Sequence, residues 1–183
     1  MGQTKKVKGI TYVEIDEQRI RTTINIYFHW KQLDTELRTI STRGCNFPGE
    51  LSENFVCYCF GYCLNKIRGG DCYDRKNDRV IEVKCSSSDT TDDLSSFSPK
   101  ETFDNLIFCK VDKNNDEIYF YDTQINSDTL KKIQISKDQT IEDQQKQGRR
   151  PRFSIYKQII QENNILPIMK FLLREKQIVR LDD

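Results

Sequence analysis

No stretch of the 183-residue sequence reaches the roughly 18 uncharged apolar residues that a membrane-spanning helix needs. The basic N-terminal residues are followed by no apolar run, which argues against a secretory signal. Lys5 and Lys6 fit a myristoylation signal after Gly2 poorly. A large net charge is missing as well, since 29 Lys and Arg stand against 28 Asp and Glu, for a formal +1. That balance neither selects nor excludes a nucleic-acid partner, because local distribution matters more than the sum. Paired CxxC spacing is absent although there are seven cysteines. An odd number of cysteines without a signal segment points to free thiols in a reducing cytoplasm. A structural zinc site would lack its four suitably spaced ligands. No internal repeat and no linker divide the chain, so 1–183 reads as one domain able to bury a sizeable core.

What is present is a globular balance of 36 % hydrophobic and 31 % charged residues, too apolar for a disordered chain. Acidic residues crowd 71–93 and 138–143, and basic residues crowd 146–152 as KQGRRPR. Apolar residues from Ile20 through Ile24, Tyr27, Leu37 and Ile40 follow a helical period, predicting a helix over 16–40, interrupted near 29–33. Region 10–40 is the expected helical dimerisation region, with Tyr27, Phe28 and Trp30 as interface aromatics. A loop over 43–49 precedes a buried helix over 52–66, with Ser52 as N-cap and Gly69–Gly70 as its end. Strands are expected over 71–73 and 79–85, joined by a turn at 74–78. A long loop (86–101) leads to a hairpin of 106–111 and 117–122, then an edge strand over 130–135. Residues 141–148 read as a polar loop, and 154–162 and 167–175 as helices. Strands set between helices at both ends give the expected fold class, α/β.

The chemistry concentrates in GGDCYDRKNDRVIEVKC. On an extended strand Glu82 and Lys84 share one face while Ile81, Val83 and Cys85 share the other. Asp71 or Asp74, on the adjoining strand or turn, can lie beside them. Two carboxylates suit Mg2+, a hard ion that prefers carboxylate and phosphate oxygens. The ion offsets charge on a reacting phosphate and acidifies water, and a neighbouring lysine orients that water or stabilises the transition state. The same letters also describe an exposed Glu–Lys strand edge.

The order GD…D, IEVK and a Ser/Thr-rich stretch resembles the PD-(D/E)xK nuclease superfamily, in particular small type II restriction endonucleases. RGCNFPGELSE resembles the segment before the active site of such enzymes, where a helix carries an extra glutamate. SSFSPKETFDNLIFCKVD with IYFYD resembles the segment after it, and GRRPRFSI a late basic segment. Gly70 stands where the superfamily's proline would. The resemblance implies a restriction-endonuclease-like core, a mixed central β-sheet flanked by helices. It also implies Mg2+-dependent hydrolysis of double-stranded DNA at a short specific site, a homodimer, and a cognate DNA methyltransferase in the same restriction system. Residue by residue it implies Asp71 and Glu82 as metal carboxylates, Lys84 as the catalytic lysine and Glu53 as an accessory glutamate. Asp71 lies eleven positions before Glu82, and Asp74, eight before it, is the alternative. Glu53 reads equally as a helix-start glutamate. Lys100, with the serines of 95–98, is expected to face DNA, although those serines also read as plain loop composition. Asp104 is either a strand-start cap or a base contact. Arg149, Arg150 and Arg152 are expected to grip phosphates or guanine edges. The late segment resembles that of enzymes cutting GC-rich sites such as GCNGC. Alternatives are a structure-directed repair or recombination nuclease of the same fold, a non-catalytic DNA-binding protein, and a zinc-binding module.

Overall fold

Asp16 starts the long first helix by accepting a hydrogen bond from the Arg19 amide at 2.8 Å, a common way to satisfy an orphan N-terminal donor. The computed structural model describes residues 4–7, 10–42, 44–65, 70–91, 93–98 and 102–181. Helix α1 (Glu17–Ile40) runs its 24 residues without the interruption expected at 29–33. Its inward face carries Ile20, Ile24, Tyr27 and Trp30, all buried. Trp30 Nε1 donates to the Asn46 carbonyl at 3.0 Å, and its ring meets Phe47 edge-on. Phe28 is half-buried beneath the Arg174 guanidinium. Tyr27 and Trp30 therefore belong to the core, correcting the expectation that they form a surface for a second copy.

Helix α2 (Gly49–Phe60) starts three residues earlier than expected and stops at Gly61, whose φ of 71° is the left-handed C-terminal turn that glycine makes at little cost. Ser52 lies inside its first turn, with Oγ donating to the Gly49 carbonyl at 2.7 Å. The residues beyond Gly61 form a strand instead of more helix.

Strands β1 (Thr4–Val7), β2 (Ile10–Glu14), β3 (Cys63–Asn65), β4 (Cys72–Asp74), β5 (Arg79–Ser86), β7 (Asn105–Asp112), β8 (Glu117–Asp122), β12 (Met169–Leu172) and β13 (Gln177–Arg180) form one sheet in the order β1-β2-β3-β4-β5-β7-β8-β12-β13. Every neighbouring pair is antiparallel except β5 with β7. The fold is α/β, with a large mixed sheet flanked by helices. Helices α1 and α2 cover one face, over a core that includes Tyr27, Phe55, Val83, Ile107 and Phe171. A second core around Phe97, Leu106, Phe108, Phe153 and Ile159 fills the other. There lie α3 (Ser127–Lys131), α4 (Ile141–Lys146), a π-helical turn at Tyr156–Gln161, the small pair β9 (Gln134–Ser136) with β10 (Gln139–Thr140), and the ribbon of β6 (Ser95–Ser96) with β11 (Arg152–Phe153).

Three expectations on this side need correction. The polar loop of 141–148 contains α4, closed by a capping box between Thr140 and Asp143. The edge strand of 130–135 is α3 followed by β9, outside the main sheet. The helix of 167–175 is replaced by strand β12 and the turn that follows it: Met169, Phe171 and Leu173 alternate into the core, a period of two. Among the described residues no helix is long and apolar enough to cross a membrane. All seven cysteines are free thiols, and burial is the largest influence raising those of Cys59, Cys72, Cys85 and Cys109.

Candidate active site

Residues before β4 set the site's edge. Gly70 has a φ of 72°, and a Cβ there would lie 2.3 Å from Val80 Cγ1. Proline, fixed near −65°, cannot take that conformation, which explains glycine at this position. The next residue, Asp71, bridges two strands. Its carbonyl accepts from the Asn65 amide and its amide donates to the Ile81 carbonyl, both at 3.0 Å. Its side-chain Oδ2 accepts from the Val83 amide at 2.8 Å. Since Cys72 pairs with Ile81 across β4 and β5, Asp71 lies level with Glu82.

Glu82 is fully buried, and its Oε1 accepts from Lys84 Nζ, also an ion pair. Lys84 is partly exposed, and its ammonium stands 5.2 Å from the centroid of the buried Phe97 ring. The parallel step sets both residues, with Glu82 beside Leu106 and Lys84 beside Phe108 of β7. Asp71 is thus tied to the strand that carries the Glu82–Lys84 pair. Glu53, half-buried on α2, approaches from the helical face: after burial and the neighbouring Cys57, the charges of Asp71 and Glu53 both raise the Cys72 thiol.

Asp74 is placed differently. It is buried, and Oδ1 accepts from the amides of Lys76 and Asn77 at 3.0 and 3.2 Å, while Oδ2 accepts from Asn77 Nδ2 at 2.6 Å. It ties the β4–β5 turn. Asp104 accepts from the Val80 amide at 2.7 Å, and its own amide donates back to the Val80 carbonyl at 2.8 Å, a cap at the start of the parallel pair. Lys100 lies outside the described residues.

The late basic segment is docked beside this centre. Arg152 pairs with Ser96 and Phe153 with Ser95, and the rings of Phe97 and Phe153 stack at 5.6 Å. Phe97 therefore touches the ribbon on one side and Lys84 on the other. Arg149 and Arg150 are exposed beyond the ribbon. Arg152 enters a cleft of about 570 Å³ whose walls include Arg38, Gly44, Phe47, Cys85, Ser88 and Asp93.

Sequence reasoning missed what holds this cleft. Lys110 Nζ donates to the Ser88 and Thr90 carbonyls and to Ser86 Oγ, and stands 5.4 Å from the Tyr156 ring centroid. Burial lowers its pKa. Lys113 pairs with the buried Asp34 at 3.3 Å and with Asp89 at 3.8 Å. Two lysines thus pin the loop leaving β5, and a lysine inside the apolar run LIFCKVD was the available signal.

Two carboxylates and a lysine within the sheet, with an arginine-bearing ribbon alongside, are groups that can hold a cation and meet a polyanionic substrate. Comparison with known proteins gives the particular family. Residues 15–162 match the Bsp6I restriction endonuclease family. The chain is 45 % identical over 170 residues, 93 % of its length and 97 % of the relative's, to the type II restriction enzyme Bsp6I of Bacillus sp. (strain RFL6). The chain belongs to the Bsp6I restriction endonuclease family, and so to the type II restriction endonucleases. No solved structure matches it significantly.

Proposed function

We propose that this restriction endonuclease has a restriction-endonuclease-like core and cleaves double-stranded DNA in a Mg2+-dependent reaction centred on Asp71, Glu82 and Lys84. The observation that carries the reading is the placement of Asp71 level with Glu82, its carboxylate on the Val83 amide, while Asp74 is committed to a turn. Among the described residues no three His, Cys, Asp or Glu side chains form a closed metal cage. An acidic pair still suits Mg2+, which commonly takes one or two carboxylates and completes its shell with water and substrate phosphate. When bound, the ion would offset charge on the phosphate oxygens and acidify the attacking water. Asp71 and Glu82 would hold it. Lys84, already a donor to Glu82, supplies the positive group that orients water or meets the charge building on phosphorus. Glu53 adds negative charge from α2.

Arg149, Arg150, Arg152 and Lys100 are the DNA contacts of this reading, and the pairing of Arg152 with Ser96 in the ribbon supports a groove contact for it. The protein acts as a homodimer in the cytoplasm beside a cognate DNA methyltransferase, at a short site such as GCNGC. Incubating plasmid DNA with the protein and Mg2+ tests the reading. Discrete fragments are expected, abolished by chelation. Asp71→Asn, Glu82→Gln and Lys84→Ala should each lower single-turnover cleavage by roughly 10²-fold or more while keeping a cooperative melt. Cleavage of branched DNA alone would favour a repair nuclease. Wild-type rates in Asp71→Asn would overturn the assignment.

A further inference from the structure

Helix α1 buries one face and leaves an apolar stripe on the other. Ile26 is 45 % exposed, Leu33 49 % and Ile40 83 %. They recur every seven residues, so they form a narrow seam along the helix. Seven large apolar side chains are exposed among the described residues, and three of them share this one helix. A single exposed leucine needs no explanation, whereas an aligned row does.

We infer that this seam receives a second copy of the chain, α1 against α1, antiparallel about a two-fold axis at Leu33. The inference rests on the reading of the protein as a homodimeric endonuclease and adds the interface and its orientation. Polar pairing selects the arrangement, since an imidazole N–H can donate to a carboxylate. His29 and Glu36 are exposed, four residues before and three after Leu33. At 100° per residue both project to the same flank of the stripe. In an antiparallel pair residues before Leu33 run beside residues after it, so His29 of each copy, four before, comes within one residue's rise (~1.5 Å) of the partner's Glu36, three after, twice. A parallel pair would set His29 against the partner's His29 and Glu36 against the partner's Glu36. The antiparallel seam is also self-complementary, as a closed two-fold dimer requires.

Reach supports the same occupant. Arg38 and Thr42, at the C-terminal end of α1, line the cleft beside the candidate site. In the antiparallel pair the two Ile40 residues lie about 21 Å apart along the helix axis, at ~1.5 Å per residue. The two clefts then begin within roughly one ~34 Å turn of duplex DNA.

Analytical ultracentrifugation without DNA tests the interface independently of cleavage. The wild-type chain should sediment as a dimer at micromolar concentration. Leu33→Glu sets two carboxylates together at the axis, and should weaken dimerisation by about 100-fold or more while the chain still melts cooperatively. His29→Glu should weaken it through the partner's Glu36, and the double change His29→Glu with Glu36→Lys should restore it. A monomeric wild type overturns the inference, as does a dimer indifferent to Leu33→Glu. Failure of the double change to restore association overturns the antiparallel orientation. If the wild-type protein dimerises as described yet cuts no DNA, the nuclease reading fails and this interface stands.

Discussion

Gly70 and the two aspartates after it show how much one backbone angle decides. In the sequence only the resemblance favours Asp71 over Asp74, because both flank a strand and both precede IEVK. The difference lies in partners distant along the chain: Asp71 meets Val83, whereas Asp74 meets only its own turn. Changing each should therefore separate function from stability. Asp71→Asn keeps an oxygen for the Val83 amide, so its melt should stay near wild type while cleavage is lost. Asp74→Ala leaves turn amides without their acceptor and should cost about 1–2 kcal/mol, with the folded fraction cutting at the wild-type rate. Urea denaturation beside single-turnover kinetics distinguishes them, and equal kinetic losses for both would reverse the choice. Gly70→Ala meets Val80 Cγ1 and a positive φ together. It should destabilise by about 2–4 kcal/mol, read by thermal melting.

Elements were legible wherever one period dominated. The extent of α1, though not its continuity through 29–33, the hairpin of β7 with β8, and the turn joining β4 to β5 follow from apolar spacing and turn residues that agree with each other. Legibility failed where a short apolar run fits two periods. Residues 61–65 continued the helical pattern of α2 until Gly61 turned the chain, and Met169–Leu172 is a strand because it pairs with β8 on one side and β13 on the other, and β8 is a partner far away in sequence. The ribbon was invisible for the same reason, as two-residue strands carry no periodicity. Yet it places Phe97 between Phe153 and Lys84. Phe97→Ala should cost about 3–5 kcal/mol through the cavity left. Phe97→Leu should cost less, but still remove the aromatic face beneath Lys84. We expect Phe97→Leu to lower the single-turnover rate with little change in DNA affinity, and Phe97→Tyr to restore it where the added hydroxyl is accommodated. An unchanged rate in a stable Phe97→Leu protein would leave the ring a packing role only.

At the scale of the whole molecule, Asp116 joins three parts that sequence could not connect. It sits in the β7–β8 turn with a φ of 54° and is almost fully buried. Its carboxylate accepts from Tyr27 at 3.0 Å and from Lys31, both on α1, and pairs with Arg174 beyond β12. The long helix and the far edge of the sheet are thereby held to one turn. Burial alone would raise the Asp116 carboxyl, but the hydrogen bonds from Lys31, Tyr27 and Arg174 outweigh it and hold the pKa below the usual range. The sign follows from that direction. A carboxyl with a lowered folded pKa stabilises fully above its unfolded value near ~3.9, and the contribution is lost as pH falls through the folded value. Asp116→Asn retains a side chain that tolerates a positive φ and removes only the charge and part of the bonding. At pH 7 it should destabilise by about 1–3 kcal/mol, less than a fully buried pair would, because Arg174 is 65 % exposed. The gap between the urea midpoints of wild type and variant should be widest at neutral pH and should narrow as pH drops below about 4. A gap that stayed constant down to pH 3 would mean that the carboxylate's charge contributes nothing there, and that the turn is held by shape alone.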